Sequence, residues 1–170
     1  KMIQILECTL NDYLRSKAPS GDTLALHYYG RDFVWSTIFD ESVRIARSLR
    51  ALGFGENDQI PMFLRNVPEF VSLVLATELI GASLVCRDNE LDENVYAAVH
   101  SGSKVIFAHD FMSQEETDAY IKAGIEKIVL LDPLRSGDRR SMPDYVTKNL
   151  DALYASGKSS SPAIMDWDAF

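Results

Sequence analysis

Cysteine is scarce in this chain: two in 170 residues, Cys8 and Cys86, far apart and in no CxxC or Cys/His arrangement. That excludes a disulfide-stapled scaffold and favours a reduced, cytoplasmic protein with two ordinary thiols. The three histidines, His27, His100 and His109, have no neighbours at metal-ligand spacing. Long hydrophobic runs are missing as well. The most apolar stretch, Phe70 to Cys86, is broken by Glu78 and Gly81, and it falls short of the roughly 20 apolar residues that a membrane-spanning helix needs. No basic region followed by an apolar run opens the chain, so no signal peptide is expected. Positive charge is in deficit, with 17 Lys and Arg against 25 Asp and Glu and a net charge of -8. Phosphate backbones and anionic lipid would repel such a chain, so neither nucleic acid nor a membrane is an expected partner.

What is present is an ordinary globular composition, 46% apolar and 25% charged, at a length that buries a core without staples. Thr9 can cap a short helix with Leu10, Tyr13 and Leu14 on its apolar face, ended by the turn formers Pro19-Ser20-Gly21-Asp22. Leu24 to Tyr29 and Phe33 to Trp35 read as the strands of a hairpin, with Gly30-Arg31-Asp32 as the turn. From Thr37 to Leu52, Ile38, Ile45, Leu49 and Leu52 recur at helical spacing, and Gly53 and Gly55 end the helix.

A repeating pattern follows. A strand, Gln59 to Leu64, leads into Asn66-Val67-Pro68-Glu69, where Asn66 and Glu69 can form a capping box and Pro68 suits the first turn. That helix runs to Gly81. Ser83 to Cys86 reads as a buried strand with Cys86 inside, Asp92 to Ser101 as a helix and Lys104 to Ala108 as a strand. Ser113 and Glu116 form a second capping box on a helix closed by Gly124, and Lys127 to Leu131 is the next strand. Strands alternating with helices imply right-handed crossovers, and apolar runs such as Ile128 to Leu131 suit strands covered on both faces. The expected fold is α/β: an open, mostly parallel sheet with helices on both faces, preceded by a short helix and a β-hairpin, forming part of a domain. Beyond Asp132-Pro133, residues 135–142 read as a loop, Pro143 opens a helix to Tyr154, and 156–162 read as a flexible linker. The last eight residues hold Ile164, Met165, Trp167 and Phe170 with little regular structure to bury them. Such an end looks cut, or free to dock on a partner.

Candidate motifs have plainer readings. Gly53-Phe54-Gly55 follows a helix and lacks the third glycine of a dinucleotide fingerprint, so it is a helix cap. Gly157-Lys158-Ser159 copies the tail of a phosphate loop, but Ala152 stands where its first glycine belongs and no strand precedes it, so it is a linker. His109-Asp110 falls just past a strand, at the edge where open α/β sheets bind ligands, yet a loop histidine with a capping aspartate explains it. Asp22, Asp32, Asp88 and Asp92 are turn or cap aspartates. The residues alone therefore give no catalytic, cofactor-binding or metal site.

The order of these pieces resembles the adenylate-forming (AMP-binding) enzymes, which include acyl-CoA synthetases, luciferases and peptide-synthetase adenylation domains. Gly30 with Phe33-Val34-Trp35-Ser36-Thr37-Ile38 is similar to the family's "TYxEL" opening. Ala46, Leu49 and Leu52-Gly53 follow like its "A..L...G". Gly55-x-x-Asp58-Gln59-Ile60 with Leu64-x-Asn66-x-Pro68-Glu69 resembles "GDxVaixlxNxpE", and Ala76 to Cys86 resembles "lkaGAxyvP". Trp35, Thr37 and Cys86-Arg87 depart from the usual tyrosine, glutamate and proline. The likeness runs from about Leu10 to Asp132, and the Asp166-to-Phe170 tail is also familiar.

The resemblance implies that residues 1–170 are the N-terminal portion of the large N-terminal domain of such an enzyme, acyl-CoA synthetase-like. In that division, 1–36 form the helix and hairpin, 37–132 the sheet region, and 133–170 a loop, helix and tail. The family's phosphate loop and C-terminal domain would lie elsewhere. The parent would be a cytoplasmic acid-thiol ligase that uses Mg-ATP and coenzyme A to turn a carboxylic acid into an acyl-adenylate and then a thioester. This chain would be its inactive scaffold, partnered by the rest of its own parent. A peptide-synthetase fragment and a standalone, noncatalytic protein-binding module are the alternatives.

Overall fold

The computed structural model describes residues 7–18, 20–86, 91–155 and 157–170. Helix α1 (Leu10–Lys17) begins as its sequence dictates: Thr9 Oγ1 accepts the Asp12 N–H at 3.1 Å. Pro19, in the turn that follows, lies outside the described residues. Strands β1 (Leu24–Tyr28) and β2 (Arg31–Val34) form an antiparallel hairpin. Its turn falls at Tyr29-Gly30, a residue earlier than expected, and Arg31 and Asp32 pair with Tyr28 and His27 inside the ladder. Tyr29 has φ 40° and Gly30 φ 79°, the paired positive values that match a two-residue turn to the strand twist. A Cβ on Gly30 would meet Ser141 Oγ at 2.3 Å, so glycine is required there for space as well as for φ.

Helix α2 (Trp35–Ala51) starts two residues before Thr37, so Trp35 opens a helix and does not close the strand. Its first amides need no side-chain cap, because Trp35 and Ser36 donate to the Thr23 and Gly21 carbonyls at 3.0 and 2.8 Å. After it come β3 (Gln59–Phe63), α3 (Pro68–Leu79), β4 (Ser83–Cys86), α4 (Leu91–His100), β5 (Val105–His109), α5 (Gln114–Lys122), β6 (Lys127–Leu131), α6 (Asp144–Ala155) and β7 (Ile164–Asp166). The capping box at Ser113 forms with both hydrogen bonds in place, Glu116 N–H to Ser113 Oγ at 3.2 Å and Ser113 N–H to Glu116 Oε2 at 2.7 Å. The one expected at Asn66 does not. Val67 is the N-cap, with no side-chain bond, and the Glu69 carboxylate turns into the protein to meet Ser136 and Arg135.

The described strands of the large sheet pair in the order β4-β3-β5-β6-β7, all parallel. Alternation along each strand divides the core. Ile60, Met62, Val105, Phe107, Val129 and Leu131 face α2 and α3, which contribute Ile45, Leu49, Leu73 and Ala76. Ile106, Ala108, Ile128 and Leu130 face Ala98 of α4 and Tyr120 of α5. Helices thus cover both faces. Strand β4 is the exception to the burial expected of it: it lies at the sheet edge, Leu84 and Val85 are half-buried, and Cys86 is exposed. Its departure partner, Arg87, lies outside the described residues.

The chain's last segment is also unlike its expectation. Ile164–Asp166 add a parallel strand beside β6, and Trp167 and Phe170 enter the α2/α3 side of the core, with Phe107 5.1 Å from Phe170 centroid to centroid. Trp167 is only 2% exposed. The parallel register, not the local sequence, creates the pocket for these rings, so composition alone reads as an exposed tail. The docking surface that favoured a protein-binding module is therefore spent inside the fold. Truncating Trp167 to alanine should cost about 3–5 kcal/mol of stability by urea unfolding; a loss below about 1 kcal/mol would show that the segment is an appendage.

Candidate functional site

Crossover α3 takes the chain from β3 out to β4, and α4 takes it from β4 back past β3 to β5. The winding reverses there, and a crevice opens beyond the C-terminal ends of β3 and β5, the place where open α/β sheets take ligands. The β3/β5 ladder is short, Met62 with Phe107 and Phe63 with Ala108. Past it the two chains separate, Leu64-Arg65-Asn66-Val67 toward α3 and His109-Asp110-Phe111 toward α5.

His109 is the final residue of β5 and is 4% exposed, not a loop residue. Its Nε2 accepts the Arg65 N–H at 2.8 Å, and its Nδ1 lies 3.3 Å from the Leu131 carbonyl. An amide can only donate and a carbonyl only accept, so the ring proton sits on Nδ1. The imidazole thus spans β3, β5 and β6 where the ladder gives out, and its nitrogens hold backbone. Asp110 is not its cap. Asp110 Oδ1 lies 2.7 Å from the Tyr154 hydroxyl, Asp110 Oδ2 lies 2.5 Å from Lys158 Nζ, and the same hydroxyl is 2.9 Å from Asp132 Oδ1. A phenol with one proton serves these two carboxylates in turn. Burial first, and the two aspartates second, push the Tyr154 phenol well above its ordinary pKa. The hydrogen bond to Asp110 likewise raises Lys158.

Lys158 is therefore the tie from the α6–β7 connection back to β5. With its ammonium held by Asp110 and Gly157 at φ 92°, Gly157-Lys158-Ser159 does not fit a phosphate cradle. No group of three or more His, Cys, Asp or Glu among the described residues could hold a metal ion. Of the turn aspartates, Asp32 Oδ1 lies 2.5 Å from His27 Nδ1, across the hairpin. Asp92 lies in the first turn of α4, and Asp88 is outside the described residues.

Two cavities flank the crevice. One of about 540 Å³ lies between the hairpin turn, the β3–α3 connection and α6, walled by Tyr28, Tyr29, Leu64, Val67, Tyr145 and Leu150, with Arg65 and Asn66 at its rim. The other, about 490 Å³, lies between α2 and α3 and is lined by Arg44, Glu41, Glu69, Ser72, Arg135 and Ser136 among others. Arg65 and α6 carry no recognisable motif, and Asn66 stands out in the sequence only as a cap and a scaffold-motif residue, which is why the sequence did not single them out as a site. The only available signal was their position just past a strand.

The model of the AMP-binding enzyme family matches residues 14–163. The chain belongs to that family. An acyl-CoA ligase, sidI, of Aspergillus fumigatus is 29% identical over 107 residues, covering 60% of this chain and 18% of that protein. An acetoacetyl-coenzyme A synthetase of Rhizobium meliloti is 36% identical over 83 residues, 45% of this chain and 12% of the relative. The chain thus spans less than a fifth of these curated relatives. The crystal structure of a benzoate CoA ligase from Burkholderia xenovorans LB400 superposes with a TM-score of 0.64 at 14% identity, over 89% of this chain and 29% of that one. At that identity the likeness speaks for the fold.

The tyrosines set an alkaline limit. Burial, then the neighbouring Tyr29, Glu69 and Asp132, push Tyr28 up to about 12, and burial also raises Tyr120. A phenol kept neutral by the fold contributes stability that is complete below the unfolded pKa of about 10 and lost as pH rises through the folded value. Chemical unfolding should show stability flat to about pH 10 and falling above it, with a shallower fall in Tyr28→Phe. An equal slope in that variant would mean Tyr28 ionises as freely folded as unfolded.

Proposed function

We propose that this chain is the N-terminal scaffold portion of the large N-terminal domain of an ATP-dependent acid-thiol ligase, acyl-CoA synthetase-like and cytoplasmic. The observation that carries the reading is the family match across residues 14–163, together with the parallel sheet that reverses at β3. In the whole enzyme a carboxylate attacks the α-phosphate of Mg-ATP, giving an acyl-adenylate and pyrophosphate. A thiol, coenzyme A in this reading, then takes the acyl group. The similarity to an acyl-CoA ligase and to an acetoacetyl-coenzyme A synthetase supports the choice of thiol.

Residues 1–36 supply the helix and hairpin, 37–132 the sheet region and 133–170 the closing helix and strand. None of them takes a catalytic role in this reading. Their part is to present the C-terminal edge of the sheet to the remainder of the parent chain, where nucleotide and acid would be bound. A peptide-synthetase origin is the weaker form of the same reading, because Cys86 stands where the resemblance expects the segment's proline.

Carboxylate-dependent exchange of pyrophosphate into ATP tests this directly. The 170-residue chain alone should show none, and a longer product of the same reading frame should show exchange with some acid of a panel and form a thioester with coenzyme A. Exchange by the short chain would overturn the scaffold assignment. Absence of exchange from the longer product, across aliphatic and aromatic acids, would overturn the ligase.

A further inference from the structure

We infer that the cavity of about 490 Å³ between α2 and α3 binds a small organic amine, with its ammonium on Glu69 and Asp40 and its apolar body against Phe33, Ile38 and Pro68. The inference is independent of the ligase reading, since it uses only this chain's own groups.

Helical spacing brings the polar groups together. Thr37, Asp40, Glu41 and Arg44 recur three and four residues apart and so share one side of α2, and Pro68, Glu69 and Ser72 share one side of α3 in the same way. Arg135 and Ser136, from the β6–α6 loop, add to the wall. The apolar part of the lining is Phe33, Ile38 and Pro68. Apolar walls with a few convergent polar groups are the usual make-up of a small-molecule site.

Charge decides which molecule fits. Three carboxylates and two arginines line the cavity, and both arginines are already engaged. Arg44 donates to Glu41 from Nε and Nη2, each at 2.8 Å. Arg135 has Glu69 at 3.6 Å from its Nε and Asp168 beside its Nη1. Asp40 is exposed and makes no ion pair among the described residues. Glu69 is 5% exposed. Its Oε1 accepts from the Ser136 hydroxyl and faces Arg135, whereas its Oε2 accepts no hydrogen bond among the described residues. A carboxylate oxygen so nearly cut off from water is stabilised by a donor. Ser72 is buried too, and its hydroxyl lies 3.5 Å from the Ile38 carbonyl, at the limit of a hydrogen bond. The unmet demand is therefore for donors that carry positive charge. An ammonium brings three donors and no acceptor, and a chain of net charge -8 attracts it. An anion would have to compete with Glu41, Glu69 and Asp168 for arginines they already hold.

The probe is 2-phenylethylamine, titrated into the 15N-labelled 170-residue chain at about 0.15 M salt, which screens attraction to the overall charge. Shifts should saturate and centre on Thr37, Asp40, Glu69 and Ser72. The neutral 2-phenylethanol and the anionic 3-phenylpropanoate should each bind at least about fivefold more weakly. Nα-acetyl-lysine amide, which carries the ammonium as a protein side chain does, should also bind more weakly, because its long stem loses more freedom. Asp40→Asn, at an exposed and unpaired position, should weaken the amine about threefold with the unfolding midpoint unchanged. Glu69→Gln should weaken it about tenfold or more. Undiminished binding by both variants, or equal binding of the alcohol or the acid, would overturn the proposal. So would tighter binding of the lysine amide, shifts centred on Tyr145 and Asn149 of the other cavity, or no saturable shifts at millimolar amine. Loss of pyrophosphate exchange in the longer protein would sink the ligase reading and leave this result untouched.

Discussion

Every pairing in the large sheet is parallel, and from that constraint most of the molecule follows. Parallel neighbours cannot be joined by a tight turn, so each connection must cross a face, and strands crossed on both faces must be apolar on both. Val105 to His109 are all buried, the burial pattern of a strand with helices above and below. The amphipathic helices, the division of the core into two clusters and the isolation of the polar groups at the strand ends are consequences of that single geometry.

The same geometry explains the sheet's C-terminal edge. Where the winding reverses at β3, the crossovers part and backbone amides and carbonyls lose their ladder partners. His109 bridges that gap, accepting the Arg65 N–H on Nε2 and donating from Nδ1 to the Leu131 carbonyl. A buried polar group left unpaired costs about 1–3 kcal/mol, so a histidine that accepts the Arg65 N–H is a stabilising choice there, while the Leu131 carbonyl also accepts the Asp110 N–H at 3.1 Å. Asp110, Asp132, Tyr154 and Lys158 form a second tie, holding α6 and the approach to β7 against β5 and β6. Polar residues at this edge of the sheet are thus used first for construction, and the exposed Arg65 lays its guanidinium over the Phe111 ring.

Much of this was legible in the residues. The alternation of strands and helices, the Ser113 capping box and the hairpin are local devices, and local devices are written in neighbouring side chains. What was not legible depended on distant partners. Glu69 has the spacing of a capping residue, but Ser136 and Arg135, far along the chain, claim its carboxylate. Cys86 has apolar neighbours, but only the strand order shows that β4 is an edge. Trp167 and Phe170 read as stranded apolar surface until β7 is seen to pair with β6. The family likeness, by contrast, was visible as four motifs in order, because scaffold turns and caps recur where the fold recurs.

The closing strand carries the final physical point. A parallel edge strand three residues long has little ladder to hold it, and its position rests on what lies beyond its pairing. Trp167 and Phe170 anchor it from inside the core, and Asp168 with Arg135 ties its end to the loop that also meets Glu69. Arg135 therefore joins α3, the β6–α6 loop and the chain's last turn through two carboxylates. The exposed pair with Asp168 contributes only about 0–1 kcal/mol, whereas the two aromatic side chains contribute several. Burial of the two rings, more than charge, holds the strand in place.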